Sequence, residues 1–483
     1  MAASRDRYAF DEIYVDGKWT RSGGSDSITI FDSTDGSILG RVPQGTPSDA
    51  DAAVSAAARA ASDWAERPAV ERAAFSEAIA AGLDERRNEI AALVSREAGT
   101  PERISRLIQA GLPHNSFTVA AAVARAYEFE TMMGDTLVVR EPTGVVACIT
   151  PWNYPLHQVS AKTAFALAAG CTVVLKPSEV SPLDAFVLAE IVDAAQLPPG
   201  VFNVVSGTGP VVGEALVTHS GVDMVSFTGS TRAGMRIAAL ASASIKRLAL
   251  ELGGKSANIL LDDLDSDQFR RAVRRGVGSC FINSGQTCTA LTRMLVPRSR
   301  LGEAEAIVAD VVANHYQPGD PFVAGTRLGP LASSAQVERV NDYVRTGIDE
   351  GARLLCGGPE RVEELPAGGF YARPTVFTDV TNSMTIAREE IFGPVLCMIG
   401  YDSEDDAVRT ANDSPYGLSG GVWSSDPERA KSVARRIRTG RVEVNGATLN
   451  PDAPFGGYKH SGYGLEYGVA GFEEFLQTKS IHT

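Results

Sequence analysis

Between about residue 139 and residue 251 the chain switches repeatedly between two periodicities, and that switching restricts the fold more than anything else in the sequence. Short β-branched runs at 144–150, 172–175, 202–205, 222–227 and 247–250 are separated by helical stretches that begin after Pro155, Ser181, Gly209 and Thr231. Strict alternation of strand and helix predicts βαβ units and an α/β fold class with a mostly parallel sheet covered on both faces. In such sheets ligands sit at the carboxyl ends of strands, in the loops that lead into helices. The loops to search are therefore 151–154, 176–179, 207–209 and 228–231. A second α/β alternation begins near Lys255 and runs to about Asn445.

Ahead of the first alternation, Asp16-Gly17 between two strand-like runs is a hairpin signal, because that pair suits a turn needing positive φ. Ser48 with Asp51 is expected to cap an alanine-rich helix, and Pro68 to start a helical region running towards Gly99. The tail from Phe472 to Thr483 is too short for a core of its own and reads as an arm paired with another element or another subunit.

With 483 residues, two or three domains are expected. The formal net charge of −14 argues against nucleic acid or an anionic membrane as the main partner, since both demand a basic surface. No secretory signal opens the chain, and the apolar stretch 163–175 is too short to cross a bilayer, which takes about 20 residues. Six scattered cysteines without a CxxC pair fit reduced thiols in a cytoplasm. Six scattered histidines without HExxH give no expectation of a metal site.

Several residues carry chemistry. Cys288 lies among Gly285, Gln286, Thr287 and Thr289, small or polar neighbours that suit a loop more than the core stripe of an ordinary buried thiol. A helix N-terminus or a nearby cation would raise its thiolate fraction. Glu251 interrupts an apolar strand just before Gly253-Gly254, either reaching solvent at a strand end or held in a pocket as a general base. Asn153, between Pro151 and Pro155, offers an uncharged amide donor at a strand end, or else bonds its own turn. Lys176 and Glu179 can bind ribose hydroxyls, or form an exposed helix-start pair. Thr228-Gly229-Ser230-Thr231 is a strand, a glycine turn and a helix start, which offers N–H groups to a phosphate. Gly207-Thr208-Gly209 with Gly213 imitates a dinucleotide fingerprint, but its spacing is GxGxxxG with Pro210 in the turn, so it ranks below Gly229.

Taken together, Pro151-Trp152-Asn153, Lys176-Pro177-Ser178-Glu179, Phe227-Thr228-Gly229-Ser230-Thr231, Leu250-Glu251-Leu252-Gly253-Gly254-Lys255, Gly285-Gln286-Thr287-Cys288, Glu389-Glu390-Ile391-Phe392-Gly393-Pro394 and Pro454-Phe455-Gly456-Gly457-Tyr458-Lys459-x-Ser461-Gly462 resemble, in order and over nearly the whole chain, the aldehyde dehydrogenase superfamily. The resemblance implies a Rossmann-like parallel-sheet cofactor domain (1–122 and 145–253), a second α/β catalytic domain (254–445) and a small β oligomerisation arm (123–144 and 464–483). It implies Cys288 as nucleophile, Glu251 as general base and Asn153 as the oxyanion amide. The implied cofactor contacts are Thr150, Trp152, Lys176, Ser178, Glu179, Gly209, Gly229, Ser230, Leu252, Glu390 and Phe392. Tyr154, Phe281 and Phe455 fall where the family lines its substrate tunnel.

The reaction so implied is NAD-dependent oxidation of a small-molecule aldehyde to a carboxylic acid through a thiohemiacetal and a thioester, in a cytoplasmic homodimer or homotetramer. Glu179 favours NAD over NADP, since its carboxylate accepts from a ribose 2′-OH and repels a 2′-phosphate. A CoA-acylating relative would dispense with the base, which Glu251 supplies here. A non-catalytic copy would be expected to lose the nucleophile or its base. A cysteine hydrolase would want a histidine beside the thiol, and none can be assigned from sequence. No arginine can be placed in the tunnel from sequence, and the aromatic lining points to a largely apolar or uncharged aldehyde.

Overall fold

The computed structural model describes residues 5–448 and 450–482. Its first sheet has eight strands in the order Lys18–Arg21, Glu12–Val15, Phe202–Val204, Thr172–Lys176, Val145–Ile149, Met224–Thr228, Arg247–Glu251, Gly462–Tyr463. The five inner strands run parallel, and antiparallel pieces close both edges. The expected hairpin is there, with Asp16 and Gly17 both at positive φ. The second sheet has seven strands in the order Arg353–Cys356, Thr375–Thr378, Val395–Tyr401, Arg293–Pro297, Ala257–Leu260, Ser419–Trp423, Arg441–Val444, parallel except for the first. Two α/β layers were the expectation, and two are present.

The helix Pro155–Ala169 is buried at every position, Lys162 included. A helix enclosed on all sides loses its polar face, which is why its residues 163–169 read as a continuous apolar run. The alanine-rich helix Pro47–Glu66 is capped two residues earlier than expected. Thr46 accepts from Asp49 N–H and Asp49 answers with its carboxylate, with Pro47 at the first helical position, so Ser48 and Asp51 lie inside. The helical region from Pro68 splits into Ala69–Glu85 and Arg87–Ala98 and stops at Gly99. Gly99 has φ +75, and a Cβ there would lie 2.0 Å from the Pro330 carbonyl oxygen, so only glycine fits.

The tail forms the strand Leu476–His482, which pairs antiparallel along its length with Thr136–Pro142; Glu130–Met133 completes a three-stranded sheet. Nearly all of this sheet is exposed on at least one side, and Met132, Met133 and Ile481 present apolar side chains to solvent.

Candidate active site

From Val145–Ile149 the chain first adds strands on one flank, Thr172–Lys176 and then Phe202–Val204, and afterwards returns to the other flank with Met224–Thr228. The strand order therefore reverses between Val145–Ile149 and Met224–Thr228, and the crevice beyond their carboxyl ends is where ligands lodge in such sheets. Thr150 and Thr228 stand at those two ends with buried hydroxyls that have no hydrogen-bond partner among the described residues. Buried polar atoms are normally satisfied, so these two mark a place for a polar ligand.

Around that crevice the expected cofactor residues collect. Lys176 is buried, and its Nζ donates to the carbonyls of Pro177 at 2.7 Å and Gly207 at 2.8 Å and to Glu179 Oε2 at 3.3 Å. The carboxylate of Glu179 remains partly exposed at the rim. Ser178 accepts from Val180 N–H at 3.2 Å, which shapes the turn. A Cβ at Gly209 would meet nothing within 4 Å, so its backbone borders open space. Gly229 is more constrained: a Cβ there would lie 2.5 Å from the Phe227 ring. Ser230 caps the helix Thr231–Ala241 by accepting from Ala233 N–H, leaving the helix start facing the crevice side of the sheet. Orphaned hydroxyls, open glycine backbone and a helix N-terminus together fit a dinucleotide.

Distant motifs meet at the other end of this crevice. The Trp152 and Phe392 rings stand edge to face with centroids 5.3 Å apart. Glu390 accepts from Gly254 N–H at 3.0 Å, and a Cβ at Gly253 would come within 2.3 Å of the same carboxylate. The Gly253-Gly254 pair thus makes room for Glu390, whose pKa burial pushes up to about 7. Leu252 donates its N–H to the Ser461 carbonyl at 2.9 Å, which ties this strand end to the C-terminal motif.

Cys288 follows a turn of unusual backbone. Asn283, Ser284 and Gly285 are three successive residues in the left-handed region, and a Cβ at Gly285 would sit 2.1 Å from the Gly393 carbonyl oxygen. Side chains hold this conformation: Ser284 donates to Gly329 O at 2.8 Å, Asn283 to Asn153 O at 2.9 Å, and Gln286 accepts from Ala332 N–H at 2.9 Å. Such strained turns persist only when their surroundings over-determine them, and they cluster at functional sites. The turn presents Cys288 to a cavity of about 1780 Å³. Asn153 is buried, and its Nδ2 donates to Gln286 O at 2.8 Å, two residues before the thiol.

Glu251 ends its strand in the same place. A Cβ at Gly254 would be 2.5 Å from the Cys288 carbonyl oxygen, so the strand end carrying Glu251 packs against the Cys288 loop. Both Glu251 carboxyl oxygens are buried without a hydrogen-bond partner among the described residues. Burial, and then the field of Glu466, hold its pKa well above the usual range. Cys288 is pushed up to about 12, first by burial and then by Glu390, Glu251 and Glu466. The thiol sits outside any helix, and the charged groups that act on it among the described residues are carboxylates, so its surroundings oppose ionisation.

The cavity wall corrects one expectation. Tyr154 and Phe455 line it as expected, with Tyr154 OH 2.8 Å from Thr287 Oγ1. Phe281 does not. It is fully buried and packs edge to face on Tyr316 in the core beneath the second sheet, because the last turn of the helix Ser266–Phe281 turns that ring inward. Sequence reasoning missed three features of this neighbourhood. The His157 and Tyr467 rings stack in the wall with Tyr467 OH 2.9 Å from His157 Nε2, and burial lowers the His157 pKa to about 4. Lys162 and Glu466 form a buried ion pair at 2.5 Å. A lysine inside an otherwise apolar helix was a usable signal for that pair; nothing local marked His157. The third is the set of arginines around the cavity mouth.

Residues 19–481 match the model of the aldehyde dehydrogenase family. The chain is 48% identical over 478 residues, 98% of each chain, to a 3-succinoylsemialdehyde-pyridine dehydrogenase from a Pseudomonas species. Among solved structures it is similar to an aldehyde dehydrogenase from Pseudomonas syringae in complex with NAD+ and octanal. That match has 48% identity, a TM-score of 0.96, and coverage of 99% of this chain and 97% of the other. It is similar as well to a Mycobacterium tuberculosis aldehyde dehydrogenase complexed with NAD+, at 41% identity, a TM-score of 0.95, and coverage of 99% and 98%.

Proposed function

The chain belongs to the aldehyde dehydrogenase family, and from that premise we infer what each residue of its site does. The protein is an NAD-dependent oxidoreductase that converts aldehydes to carboxylic acids by way of a catalytic cysteine. Cys288 is that cysteine. Its sulfur adds to the aldehyde carbon, and the carbonyl electron pair moves to oxygen as the thiol proton passes to Glu251. The new alkoxide is held by Asn153 Nδ2 and the Cys288 backbone N–H. Preorganised donors of this kind are worth about 3–4 kcal/mol each in the transition state. NAD, when bound, supplies the two-electron acceptor that turns the Cys288 adduct into a thioester. Once Glu251 has released that first proton to solvent it takes a proton from water, the water oxygen bonds to the acyl carbon, and the C–S bond breaks; the proton on Glu251 returns to the departing sulfur, which releases the acid and restores Cys288.

The residues proposed to hold NAD are Thr150, Trp152, Lys176, Ser178, Glu179, Gly209, Gly229, Ser230, Leu252, Glu390 and Phe392. Lys176 and Glu179 take the adenosine ribose, where the Glu179 carboxylate disfavours a 2′-phosphate and so NADP. Glu390 and Phe392 take the nicotinamide ribose and ring. We assign residues 1–122 and 145–253 to a cofactor unit, 254–445 to a catalytic unit, and 123–144 with 464–483 to an arm that docks on a second copy in a cytoplasmic homo-oligomer. The apolar side chains of Met132, Met133 and Ile481, exposed on a sheet with open edges, support the docking role.

Tyr154, Phe455 and Tyr467 give the cavity floor an aromatic surface suited to an apolar aldehyde chain, and the solved relative carrying octanal is consistent with one of that length. The observation that carries the mechanism is Glu251, a buried carboxyl whose oxygens have no side-chain hydrogen-bond partner among the described residues and whose charge acts on the Cys288 thiol. Octanal and NAD, without added CoA, are expected to give steady NADH formation that Cys288→Ser abolishes while NAD binding persists. Turnover that requires CoA, or that survives in Cys288→Ser, rejects the reading.

A further inference from the structure

We propose that the mouth of the Cys288 cavity is an anion-recognition site, so that the preferred aldehyde carries a carboxylate at the far end of an apolar chain. The proposal rests on Cys288 being the reacting thiol at the cavity floor. The chain as a whole is acidic, with net charge −14, yet the cavity walls contain eight arginines against three acidic residues. A reversal of sign confined to one opening is not the by-product of a basic surface.

Four of these arginines are already engaged. Arg106 pairs with Glu102 at 2.9 Å, Arg441 with Glu443 at 2.5 Å, Arg275 donates to Gly446 O at 3.2 Å, and Arg274 lies 3.2 Å from His315 Nε2. The other four, Arg103, Arg270, Arg271 and Arg327, are exposed and have no hydrogen-bond or ion-pair partner among the described residues. A solvated helix face would explain Arg270 and Arg271, which share the helix Ser266–Phe281. It does not explain Arg103 and Arg327, which come from two other segments joined where Glu102 N–H donates to Pro321 O at 2.9 Å. Three segments remote in sequence thus deliver unpaired guanidinium groups to one opening.

The inner end of the cavity has the opposite character. Glu251, Glu390 and Glu466 all act on Cys288, so an anionic group near the aldehyde would be repelled there and stripped of water besides. Ile108, Leu112 and Ile282 line the same cavity and offer apolar contact, and Leu107 and Phe322 add apolar surface at its exposed edge. An acidic inner end, apolar wall and a positive mouth favour one substrate shape, with the aldehyde at one end and the anion at the other. The planar guanidinium fork matches a carboxylate in two hydrogen bonds. A cleft of one sign between low-dielectric walls also raises the capture rate of an opposite charge, by about 10- to 1,000-fold, and salt removes that gain.

The test compares octanal with 8-oxooctanoate, which differ only by the terminal carboxylate. As NaCl rises from about 0.02 to 0.5 M, kcat/KM for 8-oxooctanoate is expected to fall about tenfold or more, while that for octanal changes little. A variant combining Arg103→Gln, Arg270→Gln, Arg271→Gln and Arg327→Gln is expected to lower the 8-oxooctanoate to octanal ratio of kcat/KM about tenfold. Equal salt dependence of the two aldehydes, or a ratio unchanged in the variant, overturns the proposal and leaves octanal oxidation at Cys288 intact. If the wild-type protein oxidises neither aldehyde, the assignment of the site itself fails, and the proposal with it.

Discussion

Cys288 and Glu251 each resist ionisation. Each would be charged in isolation at a pH well below where it ionises here, because burial comes first and the neighbouring carboxylates add to it. Proton transfer from sulfur to carboxylate changes which of them is charged without adding net charge to the pocket. That is the physical reason to pair an unpartnered acid with a hindered thiol. The same arrangement has a stability cost with a definite sign. The unfolded Glu251 releases its proton above about pH 4.3, whereas the folded protein retains it to higher pH. Over that window the unfolded chain binds fewer protons, so folded stability falls as pH rises. Glu251→Gln removes this contribution. Its Tm is expected to exceed the wild-type value by about 2 °C or more at pH 8, with a smaller gain at pH 5. Calorimetry at the two pH values reads the difference, and a gain that is equal or larger at pH 5 contradicts the raised pKa of Glu251.

At this scale the sequence was legible where a residue type was anomalous for its surroundings. Cys288 among small polar residues, Glu251 in an apolar strand and Asn153 between prolines each violated a local rule, and the structure brings all three to the Cys288 loop: Asn153 donates to Gln286 O, and the strand end carrying Glu251 packs against the Cys288 carbonyl. Phe281 violated none. A phenylalanine at the end of an amphipathic helix faces core or cavity according to a rotation of a few tens of degrees, which the sequence does not encode locally. His157 and Tyr467 meet across 310 residues, a contact that only the fold creates.

Among the elements, the parallel strands were the easiest to read, since a strand buried on both faces is apolar throughout. Both alternations appear where they were expected. The helix cap at Thr46 instead of Ser48 shows how a proline at the first helical position and a reciprocal carboxylate outweigh a later serine. The two-residue strand Gly462–Tyr463 was beyond reach, being too short to have a periodicity. It pairs with Arg247–Glu251 so that Glu251 lies opposite Gly462, and it closes the sheet edge beside the base. Gly462 has φ +111, and a Cβ there would fall 1.8 Å from the Leu250 carbonyl oxygen. Gly462→Ala must therefore push the two strands apart at the residue next to Glu251. Turnover is expected to fall at least about 100-fold, a loss near 3 kcal/mol in transition-state stabilisation. Steady-state NADH formation measures it, with circular dichroism checking that the fold persists. Wild-type turnover would show that this strand has no part in placing the base.

For the molecule as a whole, the exposed three-stranded sheet is the feature that a single copy leaves unfinished. Its strand Leu476–His482 contributes one buried residue and six exposed ones, a poor return in buried area for ordering a terminal segment. The proposed docking on a second copy would supply the missing burial. Deleting residues 476–483 is expected to shift the sedimentation profile to a smaller species and to lower Tm. An unchanged sedimentation coefficient would remove the arm from assembly.

The central claim is that an acyl group passes through Cys288 and leaves only when Glu251 activates water. Rapid mixing of Glu251→Gln with NAD and octanal, followed by mass spectrometry of the quenched protein, tests both halves together. The account predicts a single burst of about one NADH per site, then a stall, with an octanoyl group on the peptide that contains Cys288. Steady turnover at the wild-type rate, or a burst that leaves the Cys288 peptide unmodified, would contradict it.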